Sequence, residues 1–161
     1  MPDDICFIEK GQSMNSDQLF RQVFEDGRTH RAFIDQPVQD GLLLRLYDLA
    51  KVAPSASNLC PMRITFVKSA TQKQKVIEAA AEGNKPKIES APVVAIIAHD
   101  TTFYNYIEKL APHMDADAFR RQEKAKLEQI AIENCWLQAG FFIAAARSLG
   151  CLLYTSPSPR D

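Results

Sequence analysis

Apolar residues recur at helical spacing in several stretches of the chain and alternate at strand spacing in one. Leu19, Phe20, Val23 and Phe24 form a stripe that predicts a helix to about Asp26, capped by Asn15 or Ser16 and ended by Gly27. Leu42, Leu43, Leu46, Leu49 and Ala50 give one broad face of a helix from Gly41 to Val52, with Asp40 as its cap. Leu44 and Tyr47 widen that face, which points to a second layer or a second subunit. Arg63–Lys68 reads as a strand, with Ile64 and Phe66 on one side and Thr65 and Val67 on the other. A helix from Ser69 or Thr71 to about Glu82 follows, with Val76, Ile77 and Ala80 inward and Gly83 as its stop. Val93–Ala98 is a continuous apolar run rich in β-branched residues and predicts a central strand buried on both faces. Phe103–Leu110 reads as a short helix, and His113–Ala118 as a polar, irregular flap.

From Phe119 to Leu149 the pattern is helical again, charged and exposed in its first half. Its second half, Asn134–Ala146, is apolar nearly all round. Trp136, Phe141, Phe142 and Ile143 point in different directions about the axis, so one thin core cannot take them all. A second copy of the chain is the expected cover, with Ala139 and Gly140 permitting close approach. Asn134 and Gln138, one turn apart on that helix, need polar partners inside.

Composition narrows the class. The chain has 161 residues, 46% hydrophobic and 24% charged, an ordinary soluble balance with enough length for one cored domain. A net charge of −1 gives no bulk case for nucleic acid or an anionic membrane, and no apolar run reaches the length of a membrane span. Cys6, Cys60, Cys135 and Cys151 fit neither a zinc site nor a redox pair, so reduced thiols in a cytoplasm are expected. His30, His99 and His113 are scattered, and no metal is expected. The ends differ in character. Residues 1–13 lack a clear period and read as an N-terminal extension before a domain over residues 14–150. Cys151–Asp161 back-translates into a widely used transposase sequencing adapter read in frame. The natural sequence is therefore expected to stop at Gly150, with a tail that makes no specific packing contacts.

Three short stretches carry candidate chemistry. Arg28, Thr29 and Arg31 put two guanidiniums and a hydroxyl just after a helix, a set that suits a phosphate and equally a solvated basic turn. Pro54 and Pro61 hold an extended loop in which Ser55, Ser57 and Asn58 can offer hydroxyls and N–H groups to a flat, polar-edged ligand. The plainer reading of that loop is a helix-to-strand connector. Asn84 and Lys87 can lie on one side of a turn, where the amide matches a heterocycle's edge and the ammonium faces an oxygen; a capped surface turn is the alternative. No convincing nucleophile set or triad occurs, and no catalytic side chain is assigned.

Taken in order, Arg28-Thr29-x-Arg31-x-Phe33, Pro54-Ser55-x-x-Asn58-x-x-Pro61, Gly83-Asn84-x-x-Lys87, Ala91-Pro92-Val93 and the terminal Arg147-Ser148-Leu149-Gly150 resemble the flavin-dependent nitroreductase family. The branch with malonic semialdehyde reductase (3-hydroxypropanoate dehydrogenase) activity is the most similar. The resemblance covers roughly Met14 to Gly150. It implies an α+β fold, an α/β/α sandwich with a central, mostly antiparallel sheet that is truncated here at its C-terminal end. It also implies an intertwined homodimer with FMN at the interface and NAD(P)H as co-substrate. By resemblance, Arg28, Thr29 and Arg31 match positions that hold the phosphate and ribityl chain. Pro54, Ser55 and Ala56, with Asn58 in the same loop, match the segment laid against the flavin ring from the partner subunit. Asn84 matches the amide that reads the ring edge, and Lys87 a positive charge near it. The implied activity is ping-pong reduction of a small carbonyl, quinone or nitro compound; a flavin-storage protein of the same fold is the alternative. The sequence departs from many relatives at Gly27, where a second basic residue is common, and at Cys60 and Met62.

Overall fold

The structure, a computed structural model, describes residues 15–155. The proposed extension over residues 1–13 and the last six residues of the tail lie outside the described residues. Helix α1 (Ser16–Phe20) starts where the sequence predicts. Asn15 Oδ1 accepts from Gln18 N (2.8 Å) and Gln18 Oε1 accepts from Asn15 N (3.1 Å), a reciprocal cap. It runs into a wider turn over Arg21–Glu25, closed by Asp26 N donating to Arg21 O. Then follow α2 (Asp40–Ala50), β1 (Met62–Val67), α3 (Ala70–Ala79), α4 (Lys85–Ser90), β2 (Val94–His99), α5 (Ile107–Leu110), α6 (Ala116–Arg120) and α7 (Lys124–Ser148). Asp40 is the first residue of α2, not its cap, and Ser69 caps α3. Short tight turns cover Ala56–Asn58, Glu82–Asn84 and Phe103–Tyr106.

β1 and β2 pair antiparallel: Asp100 N, at the end of β2, donates to Pro61 O, just before β1. The fold is α+β, helical with this small antiparallel sheet. β2 is not buried on both faces as its composition predicts. Ile96 is exposed and its neighbours are half-buried, because among the described residues the sheet has two strands and so no central one. The expected flap is also corrected. Asp115 Oδ1 accepts from Asp117 N and Ala118 N and caps α6, Ala116 is buried, and Met114 packs against the core.

The chain divides into two compact units. One lies within Met1–Leu46, Phe66–Val94 and Ile143–Asp161; the other is Tyr47–Thr65 with Ala95–Phe142. In the first, Arg147 ties the C-terminal end of α7 to the α1 region. Its Nη1 donates to Val23 O (3.1 Å) and its carbonyl accepts from Gln22 Nε2 (2.5 Å). Lys73 on α3 donates to Glu89 O and Ala91 O at the end of α4. In the second, Leu59, Phe103, Ile107, Ala116, Leu127 and Ala131 form the core, with Tyr104, Met114, Phe119 and Ile130 packed around it. Leu127 and Ala131 show that the charged first half of α7 still buries one face.

The buried face of α7 continues through Asn134, Cys135, Gln138, Ala139, Phe142 and Ala146. The remaining stripe, Trp136, Leu137, Gly140 and Phe141, is exposed. Ala139 therefore faces its own interior, and Gly140 alone of the predicted pair lies in the open stripe.

Asp100 anchors the exit from the sheet. Arg63 Nη2 reaches Asp100 Oδ2 at 2.6 Å, and Thr102 donates to Oδ1 through N (2.8 Å) and Oγ1 (2.7 Å). Burial pushes this carboxyl up, but the Thr102 hydrogen bonds and the Arg63 charge outweigh it and hold it below the usual carboxylate range. With the folded value below the unfolded one, Asp100 stabilises the fold above about pH 4, and this is lost as pH falls through the depressed value. Asp100→Asn should cost about 1 kcal/mol at pH 7, scaled for a half-exposed arginine partner. The gap to wild type should close in acid. Urea melts at pH 7 and pH 3 check this, and an equal cost at both values counts against it.

Candidate functional site

The candidate residues fall into two groups, one in each unit. In the first unit, Arg28 and Arg31 are exposed. Arg28 Nη1 donates to Glu25 O (2.8 Å) and Gly27 O (3.1 Å), which folds the guanidinium over its own turn. Among the described residues neither arginine pairs with a carboxylate, and both stand beside the exposed Thr29. Gly27 has a reason to lack a side chain: an added Cβ would lie 2.5 Å from Arg147 Nη1. The Arg147 guanidinium from α7 occupies the space that a side chain at position 27 would take.

Asn84 and Lys87 do share one side of the turn into α4. Pro86 fits the first turn of that helix, where its missing N–H costs nothing. Both side chains hold the same group, the Tyr154 phenol. Its hydroxyl donates to Asn84 Oδ1 at 2.7 Å and accepts from Lys87 Nζ at 3.1 Å. Lys87 Nζ also stands 4.5 Å from the centre of the tyrosine ring and donates to Gly83 O at 2.6 Å. Just before it, Leu153 pairs with Thr29 and its carbonyl accepts from His30 N at 2.9 Å.

These contacts overturn the expectation that the tail packs against nothing. Gly150, at φ 77°, takes the left-handed position that ends α7. Cys151 N then donates to Ala146 O and Gly150 N to Arg147 O, so the first tail residue completes the helix cap. Residues 152–155 follow the course that this cap sets.

In the second unit the Pro54–Pro61 loop is strained. Ser57, Asn58 and Cys60 have φ of 48°, 56° and 43°, in the left-handed region, and none is glycine. Each costs about 1–2 kcal/mol, asparagine at the low end, so the surroundings must enforce the shape. They do so through nearly every polar group of the loop. Ser55 Oγ accepts from Cys60 N (2.9 Å), and Asn58 Nδ2 donates to Leu110 O (2.7 Å). Ala56 N donates to Asn134 Oδ1 (2.6 Å) and Met62 N to Gln138 Oε1 (3.0 Å). Leu59 is buried in the core. The connector reading is therefore too weak, and the ligand-facing reading needs adjustment. Ser55, Ala56 and Asn58 spend these groups internally. Ser57, exposed at the tip, is left with its hydroxyl and N–H unpaired among the described residues.

Among the described residues no group of three His, Cys, Asp or Glu could hold a metal ion, and no helix is long and apolar enough to cross a membrane. Burial pushes the thiols of Cys135 and Cys151 up, away from nucleophilic character.

Comparison with known proteins follows the same lines. The sequence profile of the nitroreductase family matches residues 26–152. The chain belongs to the nitroreductase family. A protein of Ralstonia nicotianae named for NADH dehydrogenase/NAD(P)H nitroreductase activity is 42% identical over 129 residues, covering 80% of this chain and 66% of that one. A relative from Polynucleobacter asymbioticus with the same name is 41% identical over 138 residues, covering 86% and 70%. The chain thus spans about two thirds of the length of the curated relatives it matches. Among solved structures, one from Exiguobacterium sibiricum described as a nitroreductase in complex with FMN superposes with a TM-score of 0.75 at 15% identity, covering 86% of this chain and 73% of that one. Another, from Staphylococcus epidermidis and described as an NAD(P)H:FMN oxidoreductase, gives 0.74 at 19% identity, covering 89% and 74%. At these identities the superpositions establish the fold of this nitroreductase-family chain.

Proposed function

We propose that the whole protein is an FMN-dependent NAD(P)H oxidoreductase acting as a homodimer. The observation that carries this reading is the phenol held by Asn84 and Lys87. An aromatic ring with an oxygen on its edge already satisfies the amide and the ammonium together. Tyr154 stands in there for the edge of an isoalloxazine, and it also competes for the place. Arg28, Thr29 and Arg31 suit the phosphate, since both guanidiniums carry charge that no described carboxylate neutralises.

The chemistry that FMN supplies when bound is hydride transfer from NAD(P)H to an oxidised acceptor. The protein's own tasks are to bind, orient and exclude water. Arg28 and Arg31 fix the anionic end. Asn84 would read a donor–acceptor edge of the ring, and Lys87 would set a positive charge near it. The exposed stripe Trp136, Leu137, Gly140 and Phe141 gives a second copy its seat. The Pro54–Asn58 loop then belongs to the partner's ring. For the acceptor we propose a small carbonyl of the malonic semialdehyde kind, a quinone or a nitro compound, resting on the ordered motifs shared with that branch.

Arg28→Ala tests the phosphate end. FMN affinity should fall by about 1.5–3 kcal/mol, the scale of hydrogen bonds to a charged group. Flavin fluorescence titration reads this, and unchanged affinity removes Arg28 from the site. Bleaching of the flavin spectrum by NAD(P)H separates an oxidoreductase from a storage protein.

A further inference from the structure

We infer that Asn134 and Gln138 are positioning residues: an amide clamp on α7 that holds the Pro54–Pro61 loop in its ligand-facing shape. The inference rests on the flavin reading above and extends it to residues that no family motif marks. Asn134 and Gln138 are the two buried polar residues among those described, 8% and 3% exposed, on a helix face otherwise made of Leu127, Ala131, Cys135, Ala139 and Phe142. A buried amide on such a face is retained only if it satisfies another buried polar group. Each does so at the same place. Asn134 Oδ1 takes the N–H of Ala56 and Gln138 Oε1 takes the N–H of Met62, so the pair grips the loop near its start and at the first strand residue just past its end. Asn134 Nδ2 is in turn bonded to Ile130 O at 2.9 Å, which fixes the direction of its oxygen.

Between the two grips lie the three left-handed residues, Ser57, Asn58 and Cys60. A chain segment with that backbone relaxes unless both ends are held. The i, i+4 spacing sets the two oxygens one helical turn apart, about 5.4 Å along the axis. With the inner N–H groups consumed, the exposed Ser57 is left with its hydroxyl and N–H unpaired among the described residues. The clamp thus acts on a ligand only through the loop.

Asn134→Leu and Gln138→Met remove the acceptors at similar volume. Ile130→Val, in the adjoining core, serves as a stability control. The full chain is followed by NMR amide exchange at Ala56 and Met62 and by FMN fluorescence titration. In N134L and Q138M, exchange at the released amide should quicken and FMN affinity fall by about tenfold, the scale of one hydrogen bond. I130V should lose stability without moving either readout. Unchanged exchange in N134L and Q138M overturns the clamp. Faster exchange with wild-type FMN affinity overturns its role in positioning. An intact chain that binds no FMN overturns the flavin reading itself, and it is told apart because the failure then precedes any substitution.

Discussion

Leucine at position 140 should leave the protomer folded while abolishing the dimer and FMN binding together. A Cβ added at Gly140 meets nothing within 4 Å, so the protomer has room for the new side chain. Replacing glycine inside a helix should even stabilise α7 by roughly 0.5–1 kcal/mol. The cost falls on association. Gly140 sits in a stripe with Trp136 (64% exposed), Leu137 (46%) and Phe141 (46%), all large apolar groups that a lone protomer leaves in water. Covering even two of them is worth roughly 3–6 kcal/mol, which is what a partner would gain. A leucine placed among them would hold the partner off where Gly140 leaves room for backbones to come close. The same partner supplies the Pro54–Asn58 loop in the proposed site, so flavin goes with the dimer. Sedimentation velocity, an FMN titration and a thermal melt of Gly140→Leu read the three parts separately. A G140L dimer with flavin bound, or a wild-type monomer that carries flavin at micromolar concentration, sinks the idea.

That stripe was legible in the sequence because periodicity records which side chains share a face. Trp136 and Phe141 could not both enter the interior that takes Phe142. What periodicity does not record is which face wins a small residue. Ala139 and Gly140 read alike as places of close approach, and only packing assigns Ala139 inward. The same limit explains β2. A run rich in β-branched residues predicts strand and burial, yet Ile96 stays exposed because burial depends on neighbours the run itself does not encode. Polar segments failed differently. His113–Ala118 looked irregular by composition, but Asp115 caps a helical turn and Met114 and Ala116 find the core. The need of Asn134 and Gln138 for partners was visible from their place on an apolar helix. That their partners would be Ala56 N and Met62 N was not, since no sequence rule links amides to backbone groups more than seventy residues away. Tyr154 was missed because its segment reads as foreign. The segment still follows the helix cap at Gly150 that launches it.

Phe103→Ala should cost about 3–5 kcal/mol, the range for emptying a buried aromatic site. Phe103 is 1% exposed and lies among Leu59, Ile107, Ala116, Leu127 and Ala131. Its ring meets Phe119 edge-on, at 6.1 Å between centres and 81° between planes, an arrangement that adds to simple burial. The neighbours cannot collapse into the space cheaply. Leu59 is fixed by the strained loop, and Ile107 begins a single short turn of helix whose far end, Leu110, accepts the Asn58 side chain. The void therefore opens directly beneath the loop, and its strain has less to hold it. Phe103→Leu, which keeps most of the volume, should cost markedly less, since hydrophobic swaps that conserve volume usually cost below about 1.5 kcal/mol. Urea unfolding of both variants, with amide exchange at Leu59, makes the test. If Phe103→Ala costs no more than Phe103→Leu, the cavity has closed on itself and the core is not the support that keeps Ser57, Asn58 and Cys60 in their left-handed geometry.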